Sequence, residues 1–195
     1  VGNSDASNVI NVSNPSVTFD AATFSLALPA ATANRTFTIT GSGNTVINGL
    51  IQNGATGFTG SSTKNGSGTL TIGATGAVNT FTGALAVNAG TLNATNTTAA
   101  ANQLGAAALT LGGGNLNFFK SDATTSTQTY TGTTITASTT SNVGVNTSGS
   151  ANLTLNTGAI TRTAGTGGTV LFALPTTGAI NVGTTTLGNW AVVNN

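Results

Sequence analysis

A chain of 195 residues with four basic and three acidic side chains, 38% hydrophobic residues and no Cys or Met has the length of one ordinary domain and almost no electrostatic signature. Four scattered cations cannot neutralise a row of phosphates, which excludes nucleic acid as a natural partner. The longest apolar runs, such as residues 24–31, fall far short of a membrane span, so no direct membrane insertion is expected.

Near-neutrality combined with this apolar content opposes disorder and favours self-association, because copies of the chain scarcely repel one another. The chain starts without Met and without a charged-then-apolar leader, and it reads as one domain, residues 1–195, within a longer product. Absence of Cys excludes a disulfide scaffold.

Taken in order, the segments are short and alternate with a period of two. Val9-Ile10-Asn11-Val12 and Val17-Thr18-Phe19 each read as a strand. Thr36-Phe37-Thr38-Ile39-Thr40 sets Phe37 and Ile39 on one face and three threonines on the other. The same alternation returns in Thr69–Ile72, Leu85–Val87, Leu109–Leu111, Leu116–Phe118, Val143–Val145, Leu153–Leu155, Val170–Phe172 and Ile180–Val182. The best helical candidate, Thr97–Leu104, is barely two turns long, and Gly, Thr, Asn and Ser interrupt every other stretch. Asn48-Gly49, Asn53-Gly54 and Asn65-Gly66 are turn dipeptides that accept positive φ. The fold class is all-β.

Strands this short, with small residues between them, fit a solenoid better than a sandwich. Similar fragments recur as Gly68-Thr69-Leu70-Thr71, Ala89-Gly90-Thr91-Leu92 and Gly113-Gly114-Asn115-Leu116. Recurrence at about twenty residues marks stacked coils, and the whole chain would make roughly nine of them, about 45 Å long.

Residues 62–93 carry a more specific pattern: Lys64, Gly66, Gly68, Thr69, Leu70 and Ile72, then Phe81-Thr82-Gly83, then Val87-Asn88-Ala89-Gly90-Thr91-Leu92. This run resembles the autotransporter-associated β-strand repeat, with Phe81 in place of the more usual Tyr and Ile72 in place of Leu. Residues 35–54 resemble the segment that often precedes that repeat, residues 104–118 the coil that often follows it, and residues 154–193 the close of a larger unit in long surface proteins. The resemblance implies a right-handed parallel β-helix, export from a Gram-negative-type bacterium, and a place on the cell surface or beyond it. It implies no catalytic activity and no cofactor.

Chemistry is sparse. Without His or Cys there is no Ser-His-Asp triad, no Cys-His pair and no His-based metal site. Ser61-Ser62-Thr63-Lys64 spells Ser-x-x-Lys, a motif that works only at a helix N-terminus, where none is expected. A carbohydrate-cleaving site needs two neighbouring carboxylates, and Asp122 is far in sequence from Asp5 and Asp20. Lys120 and Asp122 read as an exposed ion pair on one side of a strand. Gly112-Gly113-Gly114-Asn115 lacks the Asp of a calcium-binding glycine repeat and reads as a tight corner. The many Asn-x-Ser/Thr triplets are what so Asn- and Thr-rich a composition produces by chance.

Two surface features carry sharper expectations. The alternation Thr125, Thr127, Thr129, Thr131, Thr133 is a pattern that ice-binding faces use, and equally the outward face of any Thr-rich strand. Phe118 and Phe119 cannot both face inward on a regular strand, so Phe119, together with Tyr130, is a candidate exposed aromatic that stacks on a sugar or docks a neighbour.

The favoured function is a structural or adhesive building block of a surface fibre, not an enzyme, with self-association or contact with adjacent solenoid segments through strand edges at the end coils. The contact regions expected are residues 9–28 and 184–193, with Val9, Ile10, Val12, Val17, Phe19, Leu187, Trp190 and Val192 as the interface residues. The alternative is a monomeric passenger domain that binds surface carbohydrate, with ice binding behind it.

Overall fold

The computed structural model describes residues 8–13, 16–19, 23–25, 34–53, 58–73, 79–96, 102–136, 139–162, 167–183 and 186–194. Among these every regular element is a strand and every strand pairing is parallel. The chain winds as a coil with three sides, and each side is a sheet built from one strand of successive turns.

The first side stacks seven strands: β1 (Asn8–Asn11), β4 (Arg35–Thr40), β7 (Gly60–Lys64), β9 (Leu85–Val87), β11 (Ala108–Leu111), β14 (Gly132–Ile135) and β17 (Ala159–Arg162). The second stacks eight: β2 (Ser16–Phe19), β5 (Asn44–Ile47), β8 (Thr69–Ile72), β10 (Thr91–Asn96), β12 (Asn115–Lys120), β15 (Thr140–Thr147), β18 (Thr169–Ala173) and β20 (Ala191–Asn194). The third is discontinuous, with β3 (Thr23–Ser25) on β6 (Leu50–Gln52), then β13 (Thr125–Thr129), β16 (Asn152–Asn156) and β19 (Gly178–Asn181). The expected β-solenoid is present.

Alternation decides which side chain goes inside. On the second side one inward column runs Val17, Thr45, Leu70, Leu92, Leu116, Val143, Phe172, Val193, each residue standing on the one before. The leucines that recurred in the sequence therefore lie directly above one another, and Leu92 and Leu116 are wholly buried. Parallel in-register stacking pairs like with like, so a column of branched apolar residues packs without gaps while the backbone ladder closes around it.

The coils are longer and fewer than expected. Equivalent positions lie from 21 residues apart, as for Val170 and Ala191, to 29, as for Thr140 and Thr169. The seven- and eight-stranded sheets thus mark six and seven steps of the spiral, about 30–35 Å of rise at the spacing of paired strands. The count of about nine overlooked the third side and its corners, which carry little alternation.

The corner between the first and second sides is made of stacked glycines. A β carbon on Gly66 would run into the Gly41 carbonyl, and one on Gly90 into that of Gly66. Gly41 and Gly90 have φ of 92° and 66°, but Gly66 is absent from the left-handed set. The Asn65-Gly66 dipeptide therefore sits at a corner for want of a β carbon and not for positive φ, a correction to the turn argument. Asn53-Gly54 lies partly outside the described residues.

Among the described residues the third side has no strand between β6 and β13, and buried amides bond from coil to coil there. Asn79 Oδ1 accepts from the Ile51 amide at 2.7 Å. The Asn79 amide donates to Gln103 Oε1 at 3.1 Å, and Asn79 Nδ2 to the Gln103 carbonyl at 3.1 Å. Gln128 Oε1 accepts from the Leu104 amide at 3.0 Å while its Nε2 donates to the Gly105 carbonyl at 2.6 Å. These side chains stand in for the missing ladder, since each buried backbone group needs a partner. Outside, asparagines bond coil to coil: Asn88 to Asn65 at 2.8 Å, Asn117 to Asn93 at 3.1 Å and Asn142 to Asn115 at 2.6 Å.

Candidate functional site

The second-side core column is closed along its length and open at both ends. Leu70 through Phe172 are buried, whereas Val17 is 38% and Val193 53% exposed, although both point inward by register. The next inward column begins at Phe19 and passes through Ile47, Ile72, Ala94, Phe118 and Val145. It reaches the exposed Leu174, one residue beyond the Gly144–Ala173 pair. Val9 and Val192 add exposed apolar surface on the outward faces of β1 and β20. Among the described residues β1 and β2 have a strand partner on one side only, as do β17 and β20.

The expected interface residues therefore divide. Val9, Val17 and Val192 are exposed at the ends. Val12 is buried, and Ile10, Phe19, Leu187 and Trp190 are partly buried against the core. Trp190 works as part of the closure of the last coils: its carbonyl accepts from the Val170 amide at 3.0 Å. Residues 14–15, 20–22, 26–28 and 184–185, inside the expected contact regions, lie outside the described residues. Val193 and Leu174 were missed. The alternation of Ala191 and Val193 around Val192 already marked Val193 as the inward residue of its strand.

Of the two candidate aromatics, Phe119 is exposed and Phe118 buried, as one-in, one-out alternation requires. Tyr130 is a correction. It follows β13 at the turn into β14, where its ring enters the core. Its hydroxyl has no hydrogen-bond partner among the described residues, and burial pushes its pKa above the ordinary 10.0.

The cations turn inward too. Lys64 ends β7 at a core position, its ammonium donating to the carbonyls of Gly66 and Ala89. Burial holds its pKa below the ordinary 10.5. Arg162 Nε donates to the Gly168 carbonyl at 2.6 Å, and Arg35 is buried with Nη1 on the Asn34 carbonyl at 3.3 Å.

Lys120 is buried, which corrects the exposed ion pair. Its Nζ lies 2.5 Å from Asp122 Oδ1 and 2.9 Å from Thr124 Oγ1. Hydrogen bonds from Lys120 first, then Thr124, hold the Asp122 carboxyl below its usual range. The outer surface of the described coils is consequently almost free of charge. Asp5 and Asp20 lie outside the described residues.

The remaining motifs resolve by strand geometry. Ser61 and Lys64 lie on β7, where a spacing of three puts them on opposite faces, Ser61 outward and Lys64 inward. The threonine alternation breaks at the turn between β13 and β14. Thr125, Thr127 and Thr129 point outward on the third side, but Thr133 is buried on the first. A different rank of threonines, spread along the chain, occupies the first side: Thr38, Thr63, Thr110, Thr134 and Thr161 share one register position, with Ala86 between.

With that geometry in view, comparison with protein families finds one feature. Residues 63–94 match the model of the passenger-associated-transport-repeat. In the structure the matched stretch is one turn of the coil and the strand that begins the next, from the end of β7 through β8 and β9 into β10, which stacks on β8. Its Lys64 closes a corner, its Gly66 and Gly90 let that corner stack, and its Leu70, Ile72, Phe81, Val87 and Leu92 fill the core. The repeat supports a passenger-type β-helix, and neighbouring coils follow the same register. No curated protein and no solved structure is matched by the chain.

Proposed function

We propose that this chain is a structural, non-catalytic segment of an exported β-solenoid, and that its two open ends join further coils to build a fibre at the cell surface. The observation that carries the reading is the placement of exposed apolar residues: of the six large ones among the described residues, Val9, Val17, Leu174, Val192 and Val193 belong to the end coils. A second copy stacked head to tail lays its Val17 on Val193, continuing that core column and the backbone ladder in one step. A head-to-tail contact between unlike faces does not close on itself, so it propagates.

Export and surface association are supported by the passenger-type repeat. A mechanical role is supported by composition: the chain has no His or Cys, and the Asp122 carboxyl is committed to Lys120 and Thr124. The partners on this reading are other copies of the chain or adjacent solenoid segments.

Because the sequence has no Cys, a double variant Val17→Cys, Val193→Cys tests the register directly. Adjacent strands stand about 4.8 Å apart, within disulfide reach. Mild oxidation is expected to give a ladder of covalent multimers from the double variant and none beyond dimers from either single variant. Discrete one-chain rods in electron micrographs, with no ladder after oxidation, would overturn the proposal.

A further inference from the structure

The sixth exposed large apolar residue is far from both ends. Phe119 lies on β12, in the middle of the second side, and is 38% exposed. End stacking does not cover it: the strands above and below are already in place, with Thr95 and Asn146 at its register position. Every other outward position on β8, β10 and β12 is Thr or Asn, so one benzyl group stands in a field of amides and hydroxyls.

Beside the ring is a groove of about 140 Å³ bounded by Phe119, Lys120, Ser121, Asn146, Thr147 and Ser148. Ser121, Asn146 and Ser148 are exposed on it. Lys120 brings no attraction for anions, because its ammonium is turned to Asp122 and Thr124. The groove is smaller than the roughly 300–1,000 Å³ of sites that enclose drug-sized ligands. It suits one ring of a longer chain that runs on across the surface.

We propose that Phe119 and its groove form a binding subsite for a neutral glycan. The apolar face of a hexose ring stacks on the Phe119 ring, and its hydroxyls exchange hydrogen bonds with Asn146, Ser121 and Ser148. The coil-to-coil amides of Asn117–Asn93 and Asn142–Asn115 extend the polar surface along the stack, so neighbouring sugars meet donors and acceptors at the strand spacing. The absence of a free charge selects an uncharged polymer over an acidic one, since specificity follows from which groups would be left unpaired. The subsite is separate from the end coils and functions in a single chain as in a fibre.

The test is binding of the purified chain to immobilised cellohexaose, maltohexaose, mannohexaose and chitohexaose, with oligogalacturonate as the acidic counterpart. Phe119→Thr matches the Thr95 below it and preserves the strand, and Phe119→Trp keeps an aromatic face. Saturable binding to a neutral oligosaccharide is expected, weakened about tenfold by Phe119→Thr and within about twofold of the parent in Phe119→Trp. The end variant Val17→Asp, which blocks stacking, is expected to bind sugar as the parent does. Three results would each overturn the inference: no binding to any neutral oligosaccharide, equal binding by Phe119→Thr, or preference for oligogalacturonate.

Discussion

Lys64 occupies a core position between Ile39 and Val87 on the first side, and carbonyls instead of a carboxylate receive its ammonium. Burial disfavours its charged form, so its pKa lies below 10.5. The unfolded chain then binds the proton more tightly than the folded one, and the fold gains stability as pH rises through the lowered pKa toward 10.5. Urea midpoints of Lys64→Met are expected to lack that alkaline rise. Parallel curves for parent and variant would refute the assignment.

Tyr130 has the opposite sign. Its buried phenol has a pKa above 10.0, so the stability it contributes is present below pH 10 and is lost above it as the unfolded tyrosine ionises. Tyr130→Phe removes both that loss and a buried hydroxyl without a partner, and is expected to stabilise the chain by about 1 kcal/mol at neutral pH. A destabilised Tyr130→Phe would mean that the hydroxyl has a partner after all.

At the scale of elements, the third side is where alternation fails and amides take over. Gln128 occupies an inward position on β13 and stands under Leu155 and Ile180. Its neighbours predict Leu there, yet the glutamine serves the backbone of the coil below. Gln128→Leu conserves volume and apolarity but strips the Leu104 amide and Gly105 carbonyl of their partners. It is expected to cost about 2–4 kcal/mol in a urea titration, since two buried groups are left unsatisfied. A neutral outcome would show that the gap between β6 and β13 opens to water.

Nothing in local sequence announces the Asn79–Gln103–Gln128 set, because its members are joined only by the pitch of the coil. The strands themselves were legible for a simple reason: a two-residue period needs only nearest neighbours. Phe37, Ile39, Leu70, Leu85, Leu109, Leu116 and Leu153, read as inward from alternation, are all buried.

For the whole molecule, the governing fact is the distribution of four cations. Each is held against backbone carbonyls or a neighbouring carboxylate, so the surface of the stack has little charge for salt to screen. End-to-end association driven by Val17, Leu174 and Val193 is then hydrophobic and ladder-based. Filament length measured by light scattering is expected to be nearly unchanged between about 0.02 and 0.5 M NaCl, where the Debye length contracts several-fold. It is expected to grow in ammonium sulfate, which strengthens apolar burial. Dissolution of filaments by sodium chloride would place charge at the junction and count against the stacking geometry.

The sequence by itself determined the all-β class, the inward face of most strands, the coil architecture and the position of the transport repeat. The first three follow from periodicity, composition and spacing, and the last from the resemblance of residues 62–93 to a known repeat; all are local or nearly so. The tertiary structure alone decided the number of coils, the burial of Tyr130, Lys64 and Lys120, the amide patch on the third side, and which valines remain uncovered. These depend on what stands one turn above or below, some 21 to 29 residues away. A strand's alternation fixes the direction of a side chain, whereas burial requires a neighbouring coil to cover it. That is why Val17 and Leu70 point the same way and only Leu70 is hidden.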